Sequence, residues 1–340
     1  MTQPSVTVAV FPRERFSRTA DALRRIVEVT DIDYKLVVVD CATPPRYWRE
    51  IEAATAGLEN VEVVRTDAYI TPNEARHMLA EACTTDYICF TESDLFPSRG
   101  WLTYMIEACE SFDAGVAVPV ILEQSGLFHA EDQLGAFTAE TENGLKRLKF
   151  VALTGDLEQG PARLVESAEC HCLMFRKSVF ELVNPFDPRI TARDFIDICL
   201  SITSAGVRIV FEPRARVLID IPPPVEPEER DYYMMRWDWD RAVTSHDLIM
   251  QKWGFDQIPS SMSFVRERHI RTSLWRWRLY SLFLKAPRKA RRLIRKYRHL
   301  TDTGPMTYYP SRTAWPPNWF RNAAINLFAK GLPSREANRR

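Results

Sequence analysis

The sequence predicts an α/β protein, a mostly parallel sheet flanked by helices, followed by a basic helical appendage. Three observations carry this. Short apolar runs alternate with amphipathic stretches from residue 6 to residue 122, and strands of a parallel sheet need such crossovers to return the chain to the same end. The runs are bounded by Pro, Gly, Asp and Ser, which punctuate rather than continue regular structure. Charge is also partitioned. The net formal charge is zero, but residues 266–340 carry 19 Lys and Arg against 3 acids, hence +16, which leaves −16 on residues 1–265. With 340 residues, 46% of them hydrophobic, the chain suits one large domain over residues 1–255 and a tail over 256–340.

Val6 to Phe11 is the first apolar strand and runs into Pro12-Arg-Glu-Arg-Phe-Ser17. Ser17 is a candidate cap for a helix over 18–29, where Ala22, Leu23, Ile26 and Val27 recur at helical spacing. Leu36 to Val39 is a second strand ended by Asp40, Thr43-Pro44-Pro45 a turn, and 47–55 a second helix. A third strand over 61–64, a third helix over 73–83 and a fourth strand over 87–90 continue the alternation. A helix over 101–109 and a strand over 115–122 follow. Residues 123–165 read as polar and irregular, the composition of a binding loop. Strand character returns over 168–175, a helix opens near Asp194, a strand spans 208–211, and one amphipathic helix runs from about Tyr232 to Lys252.

No Gly-x-Gly-x-x-Gly turn follows the first strand, which argues against a dinucleotide cofactor. The seven cysteines show no zinc-like spacing and lie mostly in apolar runs. In Cys170-His171-Cys172, strand alternation is expected to send both cysteines to one face and His171 to the other, so the three do not share an ion. The opening residues lack a signal-peptide pattern, and no apolar run reaches the ~18 residues of a membrane span. The expectation is a cytoplasmic protein.

Two acidic constellations carry the chemistry. In the first, Tyr87-Ile-Cys-Phe-Thr-Glu-Ser-Asp94 ends an apolar strand on Glu92 and Asp94. Ligands bind at that strand edge in open α/β sheets, and two carboxylates there can hold a divalent cation against phosphate oxygens. Asn73-Glu-Ala-Arg76 precedes the strand and Gly100-Trp101-Leu102 follows it. The second runs from Asn184 to Leu200 and contains Phe186-Asp187, Asp194 and Asp197-Ile-Cys-Leu200, then Ala205-Gly206.

Together these resemble the family 2 glycosyltransferases of the GT-A fold. There a strand delivers an Asp-x-Asp metal motif before a Gly-Trp-Leu helix start, and a later acidic pair opens a helix. The resemblance covers about three-quarters of the chain. It implies a nucleotide-sugar-binding half over 1–122 and an acceptor and catalytic half over 123–255. It also implies Mn²⁺ or Mg²⁺ on Glu92 and Asp94, with Asp94 the more direct ligand because Glu92 replaces the shorter first acid. Nucleotide contacts follow for Phe11, Arg13, Asp40, Arg76, Ser93 and Arg236. Asp40 also fits a helix cap or turn residue, and Arg13 or Arg15, taken alone, also fits a surface charge cluster. Asp194 matches the first acid of the family pair, the base that deprotonates the acceptor, while Phe195 stands where relatives have the second. Asp197 either shares the cleft-facing side one turn on or favours the helix dipole, and Arg193 is a candidate to orient the base. His129 and His171 are candidates for the cleft or for structural roles; Trp237 and Trp239 either stack on a sugar or pack in the core.

The expected activity is metal-dependent transfer of a sugar, with inversion, from a nucleotide-diphosphate sugar to a glycan, lipid-linked or small-molecule acceptor hydroxyl. A nucleotidyltransferase is the alternative enzyme, against which the missing glycine-rich basic loop counts. A non-catalytic scaffold is the other alternative. In the tail, apolar Ala290, Leu293, Ile294, Tyr297 and Leu300 face a basic stripe over 288–298. That pattern fits an anionic membrane surface through 266–300, peripheral at the inner face, or docking on the acidic domain. Nucleic acid is not expected as a partner.

Overall fold

The computed structural model describes residues 4–123, 134–219, 225–259, 265 and 308–310. In chain order the strands are β1 Val6–Phe11, β2 Lys35–Cys41, β3 Val61–Thr66, β4 Tyr87–Glu92, β5 Leu95–Pro97, β6 Val116–Glu123, β7 Gly135–Glu142, β8 Leu145–Ala152, β9 Arg163–Val165, β10 Cys172–Arg176, β11 Ile209–Ile219, β12 Gln257–Pro259 and β13 Tyr308–Pro310. The helices are α1 Thr19–Val29, α2 Pro45–Thr55, α3 Pro72–Glu81, α4 Trp101–Ser111, α5 Val179–Leu182, α6 Asp194–Ser204, α7 Arg230–Arg236 and α8 Trp239–Trp253.

The main sheet runs β3-β2-β1-β4-β10-β6-β11-β5, with β9 paired to β11. Strands β3, β2, β1 and β4 are mutually parallel, as the alternation predicts. Strand β10 enters antiparallel between β4 and β6, and β5 and β9 are antiparallel to β11. Both faces are covered, and β1 shows how. Val6, Val8 and Val10 pack into one apolar cluster with Leu23 and Ile26 of α1 and Met105 of α4. Ala9 and Phe11 pack into the other with Leu79 of α3 and Ile198 of α6. The period-two alternation of a strand makes that division, and each fully buried Val contributes about 1.5–3 kcal/mol.

Several local expectations are corrected. Arg18, not Ser17, is the N-cap of α1, and no side chain caps it; the Ser17 amide donates instead to Glu229. The stretch 123–165 is not wholly irregular: β7 and β8 form an antiparallel hairpin around Asn143 and Gly144, both at positive φ. Strand β10 starts at Cys172 rather than 168, so alternation does not govern the Cys-His-Cys run. Cys170 and Cys172 lie in different core clusters, with Cys172 Sγ 3.8 Å from Cys89 Sγ. The helix expected over 232–252 is broken at Trp237–Asp238, where the Asp238 side chain accepts from Arg241 N and caps α8. Strands β12 and β13, from the expected appendage, extend the second sheet in the order β13-β12-β8-β7. His129 and residues 266–300 lie outside the described residues. Among the described residues, no helix is long and apolar enough to cross a membrane.

Candidate active site at the carboxyl edge of the sheet

Parallel pairing brings Phe11 beside Glu92 at the carboxyl ends of β1 and β4. The two following loops, Pro12–Ser17 and Ser93–Asp94, therefore leave the sheet side by side, joined by the Ser93 amide donating to Phe11 O at 2.9 Å. Antiparallel β10 delivers its start to the same edge, where the Glu92 amide donates to His171 O at 3.1 Å. Gly100, at φ +79, takes the left-handed turn that opens α4 behind this loop; a Cβ there would meet Tyr104 at 3.0 Å.

The resulting cluster is buried and highly charged. Arg76, on the inward face of α3 and 1% exposed, donates from Nη1 to Asp194 Oδ2 at 2.8 Å. From Nη2 it reaches Glu92 Oε1 at 3.0 Å and Cys170 O at 2.7 Å, and its guanidinium lies over the Phe11 ring. Arg13 places Nε 3.3 Å from Glu92 Oε2 and Nη1 4.0 Å from Asp94 Oδ2. His171 faces Glu92 through Nδ1 at 2.7 Å and Glu169 through Nε2 at 3.3 Å.

Electrostatics separates the acids. Burial pushes Asp94 up to about 6, because Arg13 only partly offsets the loss of water and Glu92 and Glu14 add like charge. Burial likewise raises Glu92 against the pull of Arg13 and Arg76. For Asp194 the balance reverses. Burial pulls upward, but Arg76 and Arg236 outweigh it and hold the carboxyl below its ordinary range. Burial lowers Arg236, which donates to Thr191 O and lies over the Trp237 ring.

Asp194 is the first residue of α6, and Arg193 before it is in the left-handed region at φ 58. A non-glycine residue there stores strain that the surroundings must hold. The other candidates lie elsewhere. Asp197 turns away from this cluster: its Oδ1 lies 2.8 Å from Lys252 Nζ and accepts from Trp253 Nε1 at 2.7 Å, which pins α6 to α8. Asp40 accepts from Thr43 N at 3.0 Å and lies 3.5 Å from Arg65 Nε, the contacts of a turn residue. Trp237 is buried and donates to Glu14 Oε2 at 2.8 Å.

The charged turn after β1 is braced by the start of α7 and the residue before it. Glu229 accepts from the Phe16 and Ser17 amides, both at 2.7 Å. Tyr232 donates to Pro12 O at 2.8 Å and stacks on Phe16. Glu14 and Glu169 are also new members of the site. Glu14 was visible only as part of the Pro-Arg-Glu-Arg turn, and Glu169 only as a neighbour of the Cys-His-Cys run.

A divalent cation suits part of this donor set. Asp94 Oδ1 is buried with no hydrogen-bond partner, so a cation there would satisfy it. The oxygens of Glu92 already face Arg13, Arg76 and His171. Among the described residues no group of three or more His, Cys, Asp or Glu is disposed to hold a metal alone. The fit is therefore to an ion whose remaining ligands come from a phosphate-bearing substrate and water.

Comparison with known proteins agrees with this architecture. The chain is 28% identical over 167 residues to the pre-mycofactocin glycosyltransferase of Mycobacterium tuberculosis, a match covering 47% of this chain and 32% of that protein. The chain thus spans about a third of the length of the curated relatives it matches. Among solved structures, S. aureus TarS 1-349 in complex with UDP-GlcNAc aligns with a TM-score of 0.51 at 11% identity, over 84% of this chain and 77% of that one. GalNAc-T7 with UDP, GalNAc and Mn²⁺ aligns at 0.49 and 17% identity, over 78% and 55%. The TarS likeness supports a GT-A type fold. The profile of glycosyl transferase family 2 matches residues 5–182, a little over half of the chain and the region that supplies Arg13, Arg76, Glu92, Asp94 and His171, so the chain belongs to that family.

Proposed function

We propose that this protein transfers a sugar from a nucleotide-diphosphate sugar to an acceptor hydroxyl, with inversion and with the help of Mn²⁺ or Mg²⁺. The observation that carries this reading is the meeting of Arg13, Arg76, Glu92, Asp94 and Asp194 in one buried cluster at the carboxyl edge of β1 and β4. Family membership and a relative that is a glycosyltransferase support the same class.

The donor's diphosphate would lie against Arg13 and Arg236, whose guanidiniums match phosphate oxygens. Asp94, with the diphosphate, would hold the ion, which offsets charge on the departing nucleotide. Glu92 would keep Arg76 in place. Phe11 and Ser93 would form the floor beside the nucleotide, and Asp40 its nucleoside end. Asp194 would take the acceptor's proton as the acceptor oxygen bonds to the anomeric carbon, and the electrons of the old glycosidic bond would leave with the diphosphate. Because Arg76 holds Asp194 ionised, the base is ready at neutral pH, and its low basicity requires proton transfer to accompany attack rather than precede it. Arg193 would set the direction of Asp194 through its backbone. The acceptor is a glycan, lipid-linked molecule or small molecule. Residues 266–300 would add contact with an anionic membrane on the cytoplasmic side, a reading that rests on their charge and apolar pattern.

The test is thermal stability against a panel of nucleoside diphosphates with and without Mn²⁺, followed by diphosphate release from the matching sugar donor. A ligand selective for the folded state raises the melting temperature by mass action. One diphosphate is expected to stabilise the protein with metal. Stabilisation by none of them would sink the reading.

A further inference from the structure

The loop after β4 offers two acids where a divalent ion is proposed, yet a cation of the chain itself already faces them. Arg13 is nearly fully buried and has Glu92, Glu14, Asp94 and Glu169 around it; burial lowers its basicity, and these four carboxylates more than reverse that. Its contacts depend on charge rather than on directed bonds. Nε lies 3.3 Å from Glu92 Oε2 but makes no well-aligned hydrogen bond, and the approach to Asp94 is 4.0 Å. A guanidinium held this way can be exchanged for another partner without breaking a good hydrogen bond.

A free divalent ion arriving beside Asp94 would find its Oδ1 without a hydrogen-bond partner, while Glu92 Oε2, also without one, faces Arg13 and His171. It would also meet a positive charge 4.0 Å from the Asp94 carboxylate, in surroundings where unscreened charges interact strongly. A nucleotide diphosphate changes both conditions. It supplies the oxygen ligands the chain lacks, and it gives Arg13 a planar, two-pronged acceptor. The turn need not move for this exchange, because Glu229, Tyr232 and Trp237 brace its backbone and Glu14; only the Arg13 side chain has to rotate.

We infer that Arg13 is an internal counter-ion that bars free divalent metal from Asp94 and makes metal binding conditional on a nucleotide diphosphate. The second clause rests on the proposed donor site; the first does not. Arg13 is in this respect a positioning residue, setting the order in which metal and nucleotide load.

The experiment is a Mn²⁺ titration of the full chain, followed by the electron paramagnetic resonance signal of free Mn²⁺, with no nucleotide and then with UDP or GDP. Without nucleotide, Arg13→Gln is expected to bind Mn²⁺ at least ~10-fold more tightly than wild type, and Arg13→Lys, which keeps the charge, to stay near wild type. With UDP or GDP, wild type is expected to gain Mn²⁺ affinity by a similar factor, and the nucleotide to gain affinity equally by reciprocity. Equal Mn²⁺ affinity of wild type and Arg13→Gln without nucleotide overturns the inference, even if nucleotide and metal bind together. A gain in Arg13→Gln without any response of wild type to either nucleotide supports the counter-ion role and removes the conditional clause with the donor reading. If Arg13→Gln does not fold, the wild-type arms decide: equal Mn²⁺ affinity with and without a nucleotide that itself binds overturns the proposal.

Discussion

Asp194 and Asp197 lie one turn apart on α6, and both are acids in a charged, mostly buried setting, yet the structure uses them in opposite ways. Asp194 faces the sheet edge, where Arg76 donates to it at 2.8 Å, and its carboxyl is held below the ordinary range. Asp197 faces α8, where Lys252 and Trp253 hold both its oxygens, and burial nevertheless keeps its carboxyl above that range. The difference teaches that proximity to a cation does not fix the character of an acid. The half-exposed ammonium of Lys252 is partly screened by water, whereas the guanidinium of Arg76 is not.

The sharpest way to break this contrast is Asp194→Asn. If Asp194 is the base, turnover should fall by about 10²–10⁴-fold while nucleotide binding and the fold persist; undiminished turnover would remove it from the reaction. Asp94→Asn comes next, because it removes the charge of a buried carboxylate whose Oδ1 has no hydrogen-bond partner. Metal-dependent stabilisation by a nucleoside diphosphate, worth about 2.7 kcal/mol at a ligand concentration of 100 Kd, should vanish from melting curves, whereas persistence would place the ion elsewhere. Asp197→Ala should cost stability rather than chemistry, on the order of 1–3 kcal/mol for the hydrogen-bonding groups it strands. Urea unfolding measures the loss, and turnover per folded molecule should be unchanged; a collapse of turnover would return Asp197 to the reaction.

The same pair predicts opposite responses to pH. Because the folded state depresses Asp194, its ionisation contributes stability above the unfolded pKa of about 4, and that contribution is lost as pH falls through the lower folded value. Because the folded state raises Asp197, its contribution runs the other way and declines as pH rises from about 4 through the higher folded value. Comparing wild type with Asp194→Asn and Asp197→Asn in urea unfolding between pH 3 and 6, roughly the window of carboxylate titration, should show the first stability difference shrinking toward acid and the second shrinking toward neutrality. Like slopes would contradict the geometry. The smallest expected effect is Arg193→Gly. Relief of the left-handed strain should offset the added unfolded-state entropy to within about 1 kcal/mol, and a larger loss would show that the Arg193 side chain matters beyond its backbone.

Much of the fold was legible because each element announces itself locally. The apolar runs at 6–11 and 87–92, the helical spacing in α1 and the Pro72 start of α3 follow from backbone sterics and side-chain period. The misses have equally local causes. The β7–β8 hairpin looks like loop because its strands, Gly135–Glu142 and Leu145–Ala152, are mostly exposed or half-buried, with Glu140 and Glu142 in the first and Lys146, Arg147 and Lys149 in the second, so no regular apolar pattern marks them. The break between α7 and α8 is invisible to periodicity because Asp238 acts as a cap only once Arg241 is placed over it.

The candidate site divides the same way. Arg76, Glu92, Asp94 and Asp194 could be named from motif order, since their neighbours in sequence set them at strand and helix ends. Their relations could not. Whether Arg76 faces Asp194 or Asp197, and whether Glu92 is open to a metal or already held by guanidiniums, depends on side chains separated by 16 to 118 positions in the chain. By itself the sequence determined the α/β alternation, the positions of the acids at element ends and the basic character of residues 266–340, because these depend on local period and composition. Only the tertiary structure decided which charges share one buried space, because burial and distance, which set the strength of every ionic contact, exist only once the chain is packed.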